Sequence, residues 1–316
     1  MLKRLLIGAS ALSLAASMAF GAVGAKFYVG EGDKEKEYME MVNNKIGTIG
    51  FILSDPHERI NDAYATKYGG TNLDNLGFFS VTNDTIVGPL LLKEPSLGGF
   101  SPFNLHVYKK QGENATYVGH MDPEVMLNIT GVKDADVRAE FIASFGALDK
   151  MIEKEIGTKV KTVEFDKLME KPMMTYELAF DRDGDLEDFI YDFQEKFEEA
   201  FEANQYIIAG YKDIKGSMDD KGIAFDRFDA YWVYSLCHFK FSEGIFNQGR
   251  PDVGALAPCS MYMYIDKGSN KIVIGMPRLE VWHSVMGVDE PKMLQSIRDL
   301  DTEITSIMVG LGAKEI

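Results

Sequence analysis

Apolar residues recur every three or four positions along residues 186–201, a spacing that places them on one face of an α-helix. Asp185 precedes this run and is a favourable N-cap, and Glu187 and Asp188 lie in the first turn, where carboxylates interact well with the helix dipole. A second run with this spacing predicts a helix near the end of the chain. The two apolar faces comprise Leu186, Phe189, Ile190, Phe193, Phe197 and Phe201, and Met293, Ile297, Leu300, Ile304 and Met308.

Other segments are rich in aromatic and β-branched residues or alternate in polarity, which is typical of strands. The strands predicted in the second half of the chain are residues 175–180, 206–211, 231–238, 260–265 and 271–276. The last two flank the residues Lys-Gly-Ser-Asn at 267–270, a composition that favours a hairpin turn. Residues 242–252 are predicted to form a loop with one helical turn.

The first half of the chain repeats this order of elements. The predicted strands are residues 27–29, 48–54, 77–83, 105–109 and 116–120, and the predicted helices are residues 34–45, 58–68 and 135–156. Helices combined with a mostly antiparallel hairpin sheet indicate an α+β fold. We therefore predict two similar units, each a sheet covered by helices on one side.

A direct sequence repeat supports this division. Residues 101–132 and 257–288 align without a gap at an offset of 156, and nine of the thirty-two positions are identical, whereas unrelated segments would share about two. We predict an internal duplication whose copies pack as a pseudo-dimer. The expected boundaries are a signal peptide at 1–25, a first, degenerate unit at 26–157, a connector at 158–174 and a second unit at 175–316.

The N-terminus indicates export. Lys3 and Arg4 precede an apolar run from Leu5 to Phe20, and Ala25 ends a small-residue stretch, which together are typical of a secretory signal peptide cleaved near Ala25. The run is shorter than the roughly 20 residues of a membrane span, and no later stretch is long and apolar enough. We expect a bacterial periplasmic or secreted protein.

The charge balance narrows the possible partners. Removing Lys3 and Arg4 changes the formal net charge from −16 to −18. Nucleic acids and anionic membrane surfaces require cationic patches, so neither is an expected partner. A small molecule or a periplasmic protein remains.

Cys237 and Cys259 are the only cysteines, and both lie in the second unit. Three interpretations stay open: a structural disulfide, as is common in exported proteins; two separate buried thiols that pack as small hydrophobic groups; or a redox or ligand site. In the third case His238, Met261, Met276 and His283 would add soft ligands of the kind that copper or haem iron accepts. No spacing matches a metal motif, so the metal and the cofactor are unknown.

A candidate ligand cleft comes from the aromatic residues of the second unit. Trp232, Tyr262 and Tyr264 could form its floor, and the whole set is Trp232, His238, Tyr262, Tyr264, Met276 and His283. Aromatic strand residues also occur as plain packing. The chain has no G-x-S-x-G, phosphate-binding glycine loop or H-E-x-x-H motif, so no catalytic residue is predicted.

The second unit resembles the uncharacterised family called domain of unknown function 302. The resemblance is carried by SLCHF at 235–239 and LAPCSMYMY at 256–264, with HMDPEVMLNITG at 120–131 in the first unit. His238 and Phe239 stand where the family commonly has Asn and Pro. The resemblance implies small α/β domains that associate in pairs, with no established activity.

We therefore expect an exported, non-enzymatic tandem-domain protein that binds a small ligand or a partner through its second unit. The alternatives are a periplasmic redox, electron-transfer, metal-binding or haem-binding protein that uses Cys237 and Cys259, and a purely structural or scaffolding protein.

Overall fold

A computed structural model of the protein describes residues 21–247 and 249–316. Within these ranges two six-stranded antiparallel sheets and their helices form two similar units, which confirms the predicted α+β fold. The predicted signal peptide lies almost entirely outside the described residues.

The first sheet contains six strands: β1 Ala22–Glu31, β2 Ile52–His57, β3 Leu73–Thr82, β4 Phe103–Lys110, β5 Ala115–Met121 and β6 Lys159–Phe165. The second contains β7 Met173–Ala179, β8 Tyr206–Asp213, β9 Phe228–His238, β10 Cys259–Asp266, β11 Lys271–Pro277 and β12 Lys314–Glu315. The first sheet has the order β2-β3-β4-β5-β1-β6, and the second, from its β8 edge, has β8-β9-β10-β11-β7-β12. The two orders are the same when each strand is replaced by its counterpart six places later.

The helices correspond in the same way. The first unit contains α1 Glu35–Glu40, α2 Ile60–Tyr68, α3 Asp84–Lys93, α4 Pro123–Ile129 and α5 Ala135–Glu155. The second contains α6 Leu186–Ala203, α7 Ile214–Asp220, α8 Phe239–Phe246, α9 Val281–Met286 and α10 Pro291–Gly310. A short 3-10 segment follows α3 at Pro95–Phe100 and follows α8 at Pro251–Leu256.

The long amphipathic helices match their predictions closely. Asp185 caps α6 by accepting a hydrogen bond from the Glu187 backbone N–H, and Phe193, Phe197 and Phe201 are buried. The turn of the β10–β11 hairpin has Gly268 at φ 75°, a left-handed conformation that glycine adopts without steric cost. In these elements the local sequence pattern was sufficient to predict the structure.

Three predictions differ from the structure. Residues 158–174, expected as a connector, include β6, which completes the first sheet. Residues 242–252, expected as a loop with one helical turn, contain the last five residues of α8 and the first two of the second 3-10 segment. β1 begins at Ala22 and therefore extends four residues upstream of the first unit's predicted start at residue 26.

Each unit packs its 3-10 segment against a strand of the other unit. Pro95–Phe100 packs on β10 of the second unit, and Pro251–Leu256 packs on β4 of the first unit. Asn104 donates to the Gly254 carbonyl at 2.6 Å, and the buried His106 ring lies 2.7 Å from the Pro251 carbonyl. β4 and β10 are therefore largely buried on both faces, one against their own unit and one against the other.

Candidate functional site

A cavity of about 120 Å³ lies between the two units. The first unit contributes side chains from β2, α2 and β3, and the second contributes side chains from β8, the end of β9 and α8. Most of the lining is aliphatic or aromatic: Ile60, Tyr64, Phe78, Ile207, Ile208, Ala209, Phe239, Phe246, Ala257 and Pro258, with His57 and Cys237 completing it. The cavity thus exists only where the units meet.

Hydrogen bonds behind the wall connect three hydroxyl or thiol groups. The Tyr64 hydroxyl donates to Ser242 Oγ at 2.8 Å, and the Cys237 thiol lies 3.7 Å from the same oxygen. Ser242 in turn donates to the Phe239 carbonyl at 2.9 Å. Ser242 therefore orients donors from both units.

Burial sets the protonation of these groups. Desolvation raises the pKa of Cys237 to about 11, and the bond to Ser242 offsets only part of this effect. Desolvation also raises the pKa of Tyr64 far above its usual value. Both groups are neutral at physiological pH.

His57 lies at another part of the wall. Its Nε2 bonds to the Ala209 carbonyl across the unit boundary. A carbonyl oxygen can only accept, so Nε2 carries a proton, and the neutral ring then has Nδ1 as an acceptor.

The pseudo-symmetric position on the opposite side of the interface is closed. Lys212 is the counterpart of His57, because Lys212 pairs with Val233 in the second sheet as His57 pairs with Phe78 in the first. Asp84 is the counterpart of Phe239, because each directly follows the N-cap of its helix, Asn83 or His238. The Lys212 side chain donates to Asp84 at 2.8 Å, and their side chains are 9% and 1% exposed.

Further donors complete this charge cluster, which we define as Asp84, Lys212, Ser217 and Lys221. Ser217 donates to Asp84 at 2.9 Å, and Lys221 donates to the same carboxylate. Burial by itself would raise the pKa of Asp84, but the two lysines outweigh it and hold the pKa below its usual value. A salt bridge thus occupies the position that is a cavity on the other side.

The two cysteines are free thiols, so the disulfide expected from their export context is not formed in the structure. Strand register gives the reason. Cys259 pairs with Leu236, and the adjacent residue Cys237 therefore points to the opposite face of the sheet. Cys237 faces the inter-unit cavity, and Cys259 lies on the face that the unit's own helices cover.

The six residues of the predicted cleft do not converge. Trp232 pairs with Met263 and lies on the opposite face from Tyr262 and Tyr264. Its indole nitrogen is buried and makes no hydrogen bond to any described residue. Tyr262 and Tyr264 stack with Tyr231 at the unit boundary.

The remaining three members of that set have separate roles. His238 caps α8 by accepting a hydrogen bond from the Phe241 backbone N–H at 3.2 Å. His283 bonds to the Val288 carbonyl at 3.1 Å and lies 2.9 Å from Asp289. Met276 and His238 line a much smaller space of about 30 Å³ inside the second unit. Both cysteines also border this space, although their side chains leave opposite faces of the sheet.

A buried histidine–carboxylate pair in the first unit was missed. His120 is fully buried, its Nε2 lies 3.1 Å from Asp149, and Lys26 bonds to the same carboxylate at 2.6 Å. Burial opposes ionisation, but His120 and Lys26 together lower the pKa of Asp149 to about 2. His120 and Asp149 lie 29 positions apart on β5 and α5, so only the folded chain brings them together.

Across residues 21–247 and 249–316, no three His, Cys, Asp or Glu side chains form a group suited to hold a metal ion. In the same part of the chain no helix has the length and apolar character needed to cross a membrane.

Comparison with known proteins identifies a family domain within the first unit. Residues 39–154 match the model of the domain of unknown function DUF302. The chain contains a DUF302 domain. The match lies in the first unit, whereas most residues that carry the resemblance noted from the sequence lie in the second.

A solved structure is also similar to part of the chain. It is the crystal structure of an uncharacterized conserved DUF302 protein from Bacillus stearothermophilus, with 16% identity and a TM-score of 0.34. The alignment covers 42% of this chain and 94% of that one. No curated protein matches the sequence.

Proposed function

We propose that the protein binds a small, largely apolar molecule in the inter-unit cavity and functions by binding and not by catalysis. One observation carries the proposal. Aromatic and aliphatic side chains of both units line a partly open cavity of about 120 Å³ without filling it, whereas Lys212 and Asp84 fill the equivalent position. Well-packed interiors rarely leave such space, and an apolar cavity of about 150 Å³ binds benzene.

The alternative of redox or metal chemistry at the cysteines has no observation in its favour. The thiolate is the form that attacks disulfides and ligates metals. Burial raises the pKa of Cys237 to about 11 and that of Cys259 even more, so both remain protonated at neutral pH. No observation favours a purely structural or scaffolding protein either.

We further propose that the two units arose by duplication and that the protein is exported to a bacterial periplasm or exterior. The identical strand orders and the nine identities between the repeated segments support the duplication. The basic and apolar N-terminal sequence supports export.

Titration with toluene, followed by calorimetry and by the unfolding midpoint, tests the binding function. Cys237→Leu enlarges the side chain and reduces the free volume of the cavity, whereas Cys237→Ala shortens the side chain and increases that volume. The two variants therefore form a matched pair at one position. We expect toluene to stabilise the natural protein and the Ala variant, and to bind the Leu variant at least tenfold more weakly. Equal toluene binding by the Leu variant, or none by the natural protein, would contradict the proposal.

A further inference from the structure

The direction of the hydrogen bonds around the inter-unit cavity restricts the chemistry of its ligand. Tyr64 O–H and Cys237 S–H are both directed to Ser242 Oγ, and Ser242 O–H is directed to the Phe239 carbonyl. His57 Nε2–H is directed to the Ala209 carbonyl. Each of these donors is therefore already used within the protein.

Acceptor capacity remains at the same groups. A hydroxyl oxygen keeps lone pairs after its proton is donated, and a His ring whose single proton is on Nε2, as in the bond from His57 to Ala209, has Nδ1 as an acceptor. Tyr64 Oη, Cys237 Sγ and His57 Nδ1 thus can each accept a hydrogen bond but have no free proton to offer. A ligand whose only polar group is an acceptor would be buried beside them without a partner, which costs free energy.

Charge adds a second restriction. Among residues 21–247 and 249–316, no Lys or Arg side chain lines the cavity, and the chain carries a formal net charge of −16. Burying an oxyanion without a cation or a donor is strongly unfavourable. Carboxylates, phosphates and sulfates are therefore poor ligands for this wall.

Shape and lining favour a flat ring. Tyr64, Phe78, Phe239 and Phe246 all contribute to the wall, and aromatic side chains interact favourably with aromatic rings in stacked or edge-on geometry. A volume of about 120 Å³ limits the enclosed part of a ligand to one ring, since an apolar cavity of about 150 Å³ binds benzene.

We propose that the cavity selects a neutral, single-ring aromatic molecule that carries a hydrogen-bond donor, as a phenol or an aromatic amine does. This inference rests on the proposed binding function, because it specifies the ligand of the same cavity.

Four probes of similar size separate the contributions of the ring, of a hydrogen-bond donor, of an acceptor and of a negative charge. Toluene has no polar group, phenol carries a donor, benzonitrile is only an acceptor and benzoate is an anion. On the natural protein at neutral pH, calorimetry should give a Kd for phenol about tenfold below that for benzonitrile. Benzoate should neither bind saturably nor compete with toluene.

Two variants test the assigned bond directions. Ser242→Ala removes the internal acceptor and frees the Tyr64 and Cys237 protons, so the preference for phenol over benzonitrile should shrink to less than threefold. Tyr64→Phe removes an acceptor without freeing a proton on that side chain. It should therefore weaken phenol without strengthening benzonitrile, while toluene binding by both variants reports that the cavity is intact.

The outcomes distinguish the two proposals. If toluene binds but benzonitrile binds as tightly as phenol, or if benzoate competes, the ligand class is wrong and the binding function stands. If neither toluene nor phenol binds the natural protein, the binding function itself is contradicted.

Discussion

At the scale of single residues, substitutions of buried ionisable groups should have the largest effects on stability. Asp84 is 1% exposed and accepts hydrogen bonds from two lysines and from Ser217. Removing one partner of a buried ion pair leaves the other charge desolvated, which costs more than the pair itself contributes. The charge cluster at Asp84 should therefore respond to single and to paired substitutions in different ways.

Asp84→Asn should lower the free energy of unfolding by about 3–5 kcal/mol, because Lys212 keeps its charge without a buried carboxylate. Asp219→Asn, at the exposed Lys215–Asp219 pair, is the control and should change it by less than about 1 kcal/mol. Chemical denaturation measures both. The combined change Asp84→Leu with Lys212→Met should cost less than Asp84→Asn alone, and a larger cost for the combined change would refute this view of the cluster.

His106 should make stability depend on pH. Burial lowers its pKa to about 4, although the carbonyls of Gly77 and Pro251 partly offset the effect. The unfolded residue titrates near 6.5, so between about pH 6.5 and 4 only the unfolded chain binds this proton. Stability should fall as the pH drops through that window, by about 1.4 kcal/mol per unit and about 3 kcal/mol in all.

Asp301 contributes with the opposite sign. Burial raises its pKa to about 6, so on acidification the native state binds this proton before the unfolded state does. The free energy of unfolding should therefore be measured against pH for both His106→Gln and the natural protein, and the two curves subtracted, so that the contribution of Asp301 cancels. The difference should be flat above pH 6.5 and should slope below it, whereas parallel profiles would show that His106 does not titrate in this way.

At the scale of elements, local patterns predict the helices with one apolar face and the hairpin with a glycine turn. α6 and α10 each bury one apolar face, and the β10–β11 hairpin has a glycine turn, so their boundaries follow from spacing. α3 was missed because its sequence is apolar on most sides and includes Pro89, and it packs against α7 of the other unit. β6 was missed because it is an exposed, lysine-bearing edge strand with little apolar alternation.

The start of β1 leads to a prediction about processing. Ala25 is fully buried and pairs with Met121 and Val163, and the Gly24 carbonyl accepts a hydrogen bond from the Asp122 backbone N–H. Cleavage after Ala25 would remove the first four residues of β1. On the proposal of export, we expect the processed protein to begin at or before Ala22, as measured by intact mass and N-terminal sequencing, and to unfold at a higher temperature than a form beginning at Lys26. A mature start at Lys26 with unchanged stability would contradict this expectation.

At the scale of the whole molecule, two similar units meet in one asymmetric interface. The repeat allowed the architecture to be predicted, and Cys237 was among the predicted site residues. His57, Ile60, Tyr64 and Phe78 were not, because they belong to the other unit and no local pattern indicates how two units dock. The structural asymmetry follows from a few replacements at equivalent positions: Cys237 for Thr82, Phe239 for Asp84 and His57 for Lys212.

The most direct test of the central claim is diffraction from crystals of this protein under xenon pressure, because xenon occupies dry apolar cavities without needing hydrogen bonds. We predict one xenon peak in the space enclosed by Tyr64, Phe78 and Phe239, and none beside the Lys212–Asp84 pair. The absence of xenon from the first position, or equal occupancy at both, would contradict an open cavity at Tyr64 that is closed at the equivalent Lys212–Asp84 position.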